Sequence, residues 1–225
     1  MAYHIDTGLI KDKFKVDCEC PLCEIEKIVQ NQFIHEFLND AVMVDEWRAI
    51  VNELGFCQKH FDLMFNRPNK LSLALQVYTR NKALESLLQT PKSPKSAKKL
   101  GETIEGSTST CVICNLMEES MQKYYKTIAQ LFGDDSEFQA DLVNSKGFCF
   151  HHYAELLKYS SFAGLKSKKY LTAISEVMQK NFARMQAELK WFCDKHDYRN
   201  HDKPLGESAT ILPRMRTKLY SKKDD

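Results

Sequence analysis

Apolar residues recur at intervals of three and four along most of the 225-residue chain, with polar residues between them. The clearest of these stripes consists of Leu171, Ile174, Met178, Phe182, Met185, Leu189 and Phe192. Such spacing places the apolar side chains on one face of an α-helix, which repeats about every 3.6 residues. We therefore predict a long helix over residues 167–195.

Shorter stripes with the same spacing predict two further groups of helices. The first group covers residues 22–39, 45–54, 57–65 and 71–88, and the second begins at 117 and includes the long helix. A chain with only 8 Gly and 6 Pro and few runs of β-branched residues favours helices over a turn-rich β architecture. The pattern predicts an all-α protein of two pseudo-repeats with about four helices each.

Three segments lack this periodicity. We expect residues 1–19 to form an extended arm, residues 91–110 a flexible linker and residues 197–225 an extended tail. The linker is rich in Lys, Ser and Thr and has few large apolar residues to bury. The predicted repeats are then residues 20–90 and residues 111–196.

Each repeat contains the same cysteine and histidine motif. Cys20-Pro21-Leu22-Cys23 is followed, after 33 intervening residues, by Cys57 of Gly55-Phe56-Cys57-Gln58-Lys59-His60. Cys111-Val112-Ile113-Cys114 is followed, after 34 intervening residues, by Cys149 of Gly147-Phe148-Cys149-Phe150-His151-His152. A repeated C-x2-C…G-F-C-x2-H pattern indicates an internal duplication.

Three thiolates and one imidazole form a typical tetrahedral zinc site, and a Cys and a His three residues apart leave the same face of a helix. We expect each repeat to close its own site. Site 1 would use Cys20, Cys23, Cys57 and His60, and site 2 would use Cys111, Cys114, Cys149 and His152. Aligning the motifs places His152 opposite His60 and His151 opposite Lys59, so His152 is the predicted ligand.

Four protein ligands leave no open coordination position, so two structural Zn²⁺ ions per chain are expected. Iron is the alternative metal, because Cys and His ligands also hold iron. Buried cysteines packed as small hydrophobic side chains are the interpretation without a metal. A thiol redox role for either C-x2-C is less favoured, because no βαβ pattern accompanies it.

A third group of residues would be Cys18, Cys193, His196 and His201. These four would form another metal site only if the arm met the end of the long helix. The alternative is an extra thiol beside site 1 and an ordinary helix end, where Lys195 and His196 complement the helix dipole. We favour this alternative.

Charge and known motifs restrict the function only weakly. The formal net charge is +2. Lysines and arginines in the linker and tail are compatible with phosphate contacts, but charged linkers are more often solvated; they are Lys92, Lys95, Lys98, Lys99, Arg214, Arg216, Lys218, Lys222 and Lys223. No nucleophile elbow, H-E-x2-H helix, phosphate loop or dinucleotide fingerprint appears, so no enzymatic reaction is predicted.

The sequence also indicates a compartment. It shows no basic segment followed by an apolar core at the start and no run of about 18 apolar residues that would span a membrane. We expect a cytosolic protein, in which thiols stay reduced and available for metal.

The paired motifs and the C-terminal segment together resemble those of an uncharacterised bacterial family, known only as a domain of unknown function. The resemblance covers residues 20–219 and includes Asp197-Tyr198-Arg199-Asn200 and Leu212-Pro213-Arg214. Members of that family often have neither Cys193 nor His196, which argues against the third site. The resemblance implies the fold and no reaction.

We therefore expect a cytosolic zinc-binding scaffold or adaptor that presents helical surfaces to a protein partner. The expected functional surface lies around Asp197, Tyr198, Arg199, Asn200 and Arg214. A regulator that responds to metal or thiol oxidation is the second hypothesis. A nucleic-acid-binding module is the third.

Overall fold

The computed structural model describes residues 7–220, and within that range the chain forms helices and no strand. The predicted all-α fold is confirmed. The α-helices are α1 (Thr7–Phe14), α2 (Pro21–Asn39), α3 (Asp45–Leu54), α4 (Gln58–Phe65), α5 (Lys70–Glu85), α6 (Pro94–Thr108), α7 (Val112–Asp134), α8 (Ser136–Asn144), α9 (Phe150–Lys158), α10 (Ser167–Asp194) and α11 (Ile211–Tyr220). None of these described helices combines the length and apolar character needed to cross a membrane.

The helices form two compact units that differ from the two sequence repeats. Of the described chain, unit 1 contains residues 7–27 and 121–220, and unit 2 contains residues 28–120. The boundaries fall inside α2 and α7, so each of these helices contributes to both units.

Helix lengths explain why a repeat does not close on itself. The 19 residues of α2 span about 28 Å, whereas the 10 residues of α3 span only about 15 Å. The second repeat has the same imbalance, since α7 has 23 residues and α8 has 9. In neither repeat does the short helix carry the chain back to the start of the long one.

Unit 1 has an aromatic core to which the N-terminal segment contributes. Ile10 and Phe14 of α1 are buried, and the Phe14 ring packs edge to face on Phe138 with 5.0 Å between centroids. The expected extended arm is therefore helical over α1, and the first six residues lie outside the described range.

The C-terminal segment of unit 1 also differs from the expected extended tail. Residues 211–220 form α11, which packs against α9 and α10, with Ile211 and Lys218 almost fully buried. The predicted long helix is present as α10. Residues 221–225, including Lys222 and Lys223, lie outside the described range.

Unit 2 is built around the second half of α2. Phe37 is buried and contacts the rings of Trp47 and Phe56 at centroid distances of 5.5 and 5.7 Å. Gln76 of α5 donates a hydrogen bond of 2.7 Å to the Phe37 carbonyl oxygen. These contacts hold α3 and α5 against α2.

The segment 91–110, expected to be a flexible linker, contains α6. Ser93 and Ser96 form a reciprocal capping box, and Pro94 occupies the first turn, where proline is favourable. Leu100 and Ile104 are four residues apart and half-buried, and α6 packs on α3. A high density of Lys and Ser concealed this short amphipathic pattern.

Candidate metal centres

The described residues contain two groups of four cysteine and histidine side chains whose donor atoms all lie within 4.8 Å of one another. The unit 1 cluster consists of Cys20, Cys23, Cys149 and His152. The unit 2 cluster consists of Cys57, His60, Cys111 and Cys114. Each cluster therefore combines the C-x2-C of one repeat with the C-x2-H of the other.

This arrangement corrects the predicted grouping while keeping the same eight residues. Cys20 and Cys23 meet Cys149 and His152 rather than the Cys57 and His60 of their own repeat. The reason is the length of α2 and α7, which place the two halves of each sequence motif in different units. His152 lies in a cluster and His151 does not.

Helix starts position the donors. Cys149 and Cys57 are the N-cap residues of α9 and α4, and each histidine follows three residues later on the first turn. The N–H of His152 donates to the Cys149 sulfur over 3.3 Å. Unpaired N–H groups and the helix dipole stabilise a thiolate at such a position.

Glycine sets the entry into both C-x2-H segments. Gly55 and Gly147 have φ values of 66° and 80°, in the left-handed region that favours glycine. A Cβ at Gly55 would lie 3.0 Å from Nε of Arg80. The G-F-C part of the motif thus reflects backbone geometry that delivers the cysteine to the cluster.

In the unit 1 cluster, the three sulfur atoms surround one nitrogen of the imidazole. His152 Nδ1 lies 3.5 Å from the sulfurs of Cys20 and Cys23 and 3.1 Å from that of Cys149. All four side chains are buried. The other ring nitrogen, Nε2, faces the carboxylate of Glu26 at 3.6 Å.

The unit 2 cluster repeats this geometry with more solvent access. His60 Nδ1 lies 3.3 Å from each of the three sulfurs of the cluster. Cys57 Sγ and Cys114 Sγ are 3.8 Å apart. His60 and Cys111 are buried, whereas Cys57 is half-buried and Cys114 is exposed.

These separations fit a tetrahedral metal. Zinc bonds of about 2.3 Å to sulfur and about 2.0 Å to nitrogen imply edges of roughly 3.5 Å between sulfur and nitrogen and roughly 3.8 Å between sulfurs. The observed distances of 3.1–3.5 Å and 3.8 Å agree with those edges. Three sulfurs and a nitrogen are also the donor chemistry of a closed zinc site.

Within each cluster, neighbouring thiols shift one another's pKa values in opposite directions. Hydrogen bonds from Cys20 and Cys23 lower the pKa of the Cys149 thiol, while its bond to Cys149 raises the pKa of Cys23. In unit 2, a hydrogen bond from Cys114 lowers the pKa of Cys111 to about 3. Neighbouring thiolates repel one another, so full ionisation of the cysteines requires a cation between them.

Two hydrogen bonds hold the two halves of the unit 2 cluster together. Thr110 Oγ1 donates to the Leu54 carbonyl oxygen over 2.7 Å, and the Val112 N–H donates to the Gly55 carbonyl oxygen over 3.0 Å. The two donor residues lie on either side of Cys111 in the sequence, and the two acceptor residues lie shortly before Cys57. They fix the distance between the two chain segments that supply the ligands.

The four residues considered for a third site do not come together within the described chain. Cys18 is half-buried before Cys20, and Cys193 is exposed near the end of α10. The Lys195 ammonium group donates to the Asn200 and His201 carbonyl oxygens, and Asn200 donates to the Asp194 carbonyl oxygen. These bonds close the end of α10 as an ordinary helix terminus.

The residues that we expected to form one functional surface near the C-terminus have different surroundings. Asp197 accepts bonds of 3.0 and 2.7 Å from the Arg199 guanidinium, which lowers the pKa of the carboxyl group, and Tyr198 is exposed. Arg214 is instead occupied by Glu19 and Glu188 inside unit 1. Its place on a functional surface, or in a phosphate contact, stays a prediction.

Sequence reasoning missed the residues around the clusters. Glu26 follows Cys23 by three residues on the same helix, a spacing that places both on one face and that would have identified it. Gln30 lies 3.1 Å from Nε2 of His60 through its amide group. Lys218, which the sequence placed among solvated or phosphate-contacting basic residues of the tail, is instead buried and donates to the carbonyl oxygens of Glu19 and Lys146.

Comparison with known proteins places the chain in a family. The sequence matches a family of unknown function (DUF6062) over residues 1–225, so the chain belongs to that family. No curated protein and no solved structure matches it.

Proposed function

We propose that this member of the DUF6062 family is a zinc-binding helical scaffold with two structural Cys3His sites. The observation that supports this function best is the convergence of three thiols and one imidazole in each unit. A site with four protein ligands has no position for substrate or water, so the metal would stabilise the fold. The helical surfaces of the two units would then serve a protein partner.

Zinc is the metal that we propose, because it prefers a tetrahedral site rich in thiolates and has no redox chemistry of its own. The residues of the unit 1 and unit 2 clusters would hold one ion each. All eight cysteines are free thiols, which supports a reducing compartment such as the cytosol.

Metal analysis of the purified chain tests this proposal. Elemental analysis and native mass spectrometry should find about two zinc ions per chain. Removal of zinc by a chelator should reduce the helical circular dichroism signal and the melting temperature, because ligand binding and folding are coupled. A chain that is folded and stable without any metal would contradict the proposal.

The exposure of the unit 2 cluster favours a second function, that of a metal- or thiol-responsive regulator. The Cys114 sulfur is accessible, whereas all unit 1 donors are buried. Mild hydrogen peroxide should therefore release about one zinc ion per chain, and a thiol reductant should restore binding. The variant Cys114→Ser should lose the peroxide-sensitive ion and keep the other. Equal resistance of both ions to oxidant would contradict this function.

A further inference from the structure

The buried ammonium group of Lys218 lies between the two chain segments that supply the unit 1 donors. Its Nζ donates to the carbonyl oxygen of Glu19 and, over 2.6 Å, to that of Lys146. The Glu19 carboxylate lies 3.6 Å from the same nitrogen. Lys218 is only 2% exposed, and a lysine is rarely buried to this extent without such partners.

The positions of the two carbonyl groups connect Lys218 to the metal ligands. Glu19 immediately precedes Cys20, and Lys146 immediately precedes Gly147, two residues before Cys149. One side chain from α11 therefore holds both halves of the unit 1 cluster at a fixed separation.

The unit 2 cluster achieves the same link without an extra helix. Thr110 precedes Cys111 as Glu19 precedes Cys20, and Leu54 precedes Gly55 as Lys146 precedes Gly147. Thr110 bonds directly to the Leu54 carbonyl oxygen. In unit 1 the equivalent residues, Glu19 and Lys146, are linked through the Lys218 side chain. In unit 1, α11 therefore supplies the link that the Thr110 hydroxyl supplies in unit 2.

The charges around Lys218 favour an anionic neighbour. Glu19 accepts from Arg184 over 2.7 Å and from Arg214 over 3.0 Å, and Glu188 pairs with the same two arginines. With Lys218, three cations thus share two carboxylates. A Zn(Cys)3His site carries a formal charge of −1 and would balance the remaining positive charge beside Cys20.

We propose that Lys218 is a positioning residue of the unit 1 metal site and that α11 is a latch whose docking is coupled to metal binding. This inference rests on the proposed function, because it requires that the unit 1 cluster binds a metal. Coupling is reciprocal: if α11 retains the metal, the metal also retains α11. Loss of metal would then release the C-terminal helix of unit 1.

Zinc transfer from the full-length chain to a chromophoric chelator tests the role of Lys218. In Lys218→Met, one of the two zinc equivalents should be released about 10–100-fold faster than in the wild type, the effect typical of losing an outer partner. Arg216→Met, an exposed change on the same helix, should release zinc at the wild-type rate. Unchanged release from Lys218→Met would overturn the inference. A wild-type chain without zinc would refute the proposed function instead.

A second measurement keeps the inference testable if Lys218→Met does not fold. Hydrogen exchange of residues 211–220 should speed up by about tenfold or more when the wild-type chain is stripped of zinc, and likewise in Cys149→Ser. Cys114→Ser, which removes a ligand of the other cluster, should leave this segment protected. Exchange in residues 211–220 that does not depend on zinc would show that α11 is not coupled to the site.

Discussion

At the scale of single residues, the two clusters differ in the side chain that faces the outer ring nitrogen of the histidine ligand. Glu26 lies at the outer nitrogen of His152, whereas an amide, Gln30, lies at that of His60. The Glu26 carboxylate is 3.6 Å from Nε2, too far for a hydrogen bond, but its negative charge beside the ring raises the basicity of the imidazole. The buried unit 1 site should therefore hold its metal more tightly than the unit 2 site.

Replacing the carboxylate tests this difference. Glu26→Gln should weaken zinc binding at one of the two sites by about tenfold, because the amide leaves less negative charge on the imidazole. Glu24→Gln, on the same helix but paired with Lys27, is the matched control and should bind zinc normally. Competition titration with a chelator of known affinity measures both. Equal affinities in the wild type and Glu26→Gln would contradict the role of Glu26.

Pairs of cysteine substitutions test which residues share a metal. Cys20→Ser with Cys149→Ser changes one cluster, so the double variant should keep about one zinc ion per chain. Cys20→Ser with Cys57→Ser changes both clusters and should keep almost none. Elemental analysis of the folded variants gives the answer. Pairing within each repeat would reverse the two results.

All eight donors could be identified from the sequence, but their grouping could not. The motif identifies residues that are suitable metal ligands, but it does not determine which C-x2-C pair shares a metal with which C-x2-H pair. Here the grouping depends on α2 and α7 being much longer than the helices that follow them. Lys218 and Glu19 were not predictable, because their role comes from tertiary contacts between distant segments of the chain.

At the scale of elements, Arg80 joins α3 and α6 through their last carbonyl groups. Its guanidinium donates to the carbonyl oxygens of Asn52, Glu53 and Ser107. These are groups that a helix end leaves without a partner. The positive charge is also favourable at the negative ends of the two helix dipoles.

Removing this link should loosen α6. Arg80→Met keeps the apolar stem but removes the guanidinium donor from three carbonyl oxygens, which should cost about 2 kcal/mol of local stability. The Ser107 carbonyl oxygen would keep its bond of 3.3 Å from Thr110 Oγ1. Hydrogen exchange of residues 94–108 should speed up, while that of α10 stays the same. Lys82→Met, an exposed change on the same helix, is the control. Wild-type protection of α6 in Arg80→Met would show that the link contributes little.

The helices with clear apolar stripes were predictable, including the short α3 and α4, whereas α1, α6 and α11 were not. α10 has seven apolar residues at helical spacing, so its periodicity is clear. α1 and α11 have 8 and 10 residues and bury two side chains each, and the 15-residue α6 buries none, so these helices lack a clear apolar stripe. Composition alone made these segments resemble an arm, a linker and a tail.

At the scale of the whole molecule, each compact unit combines half of the metal motif of one sequence repeat with half of the motif of the other. Each unit takes the start of one long helix and the C-x2-H segment of the other repeat. Loss of one metal would therefore affect both repeats of the sequence but mainly one compact unit. This exchange of motif halves between the repeats is the central claim of the account.

Anomalous diffraction from crystals of the zinc-loaded chain, measured at the zinc absorption edge, tests this claim most directly. We predict two peaks, one among the sulfurs of Cys20, Cys23 and Cys149 and one among those of Cys57, Cys111 and Cys114. A peak between Cys23 and Cys57, or a folded chain without any zinc peak, would contradict it.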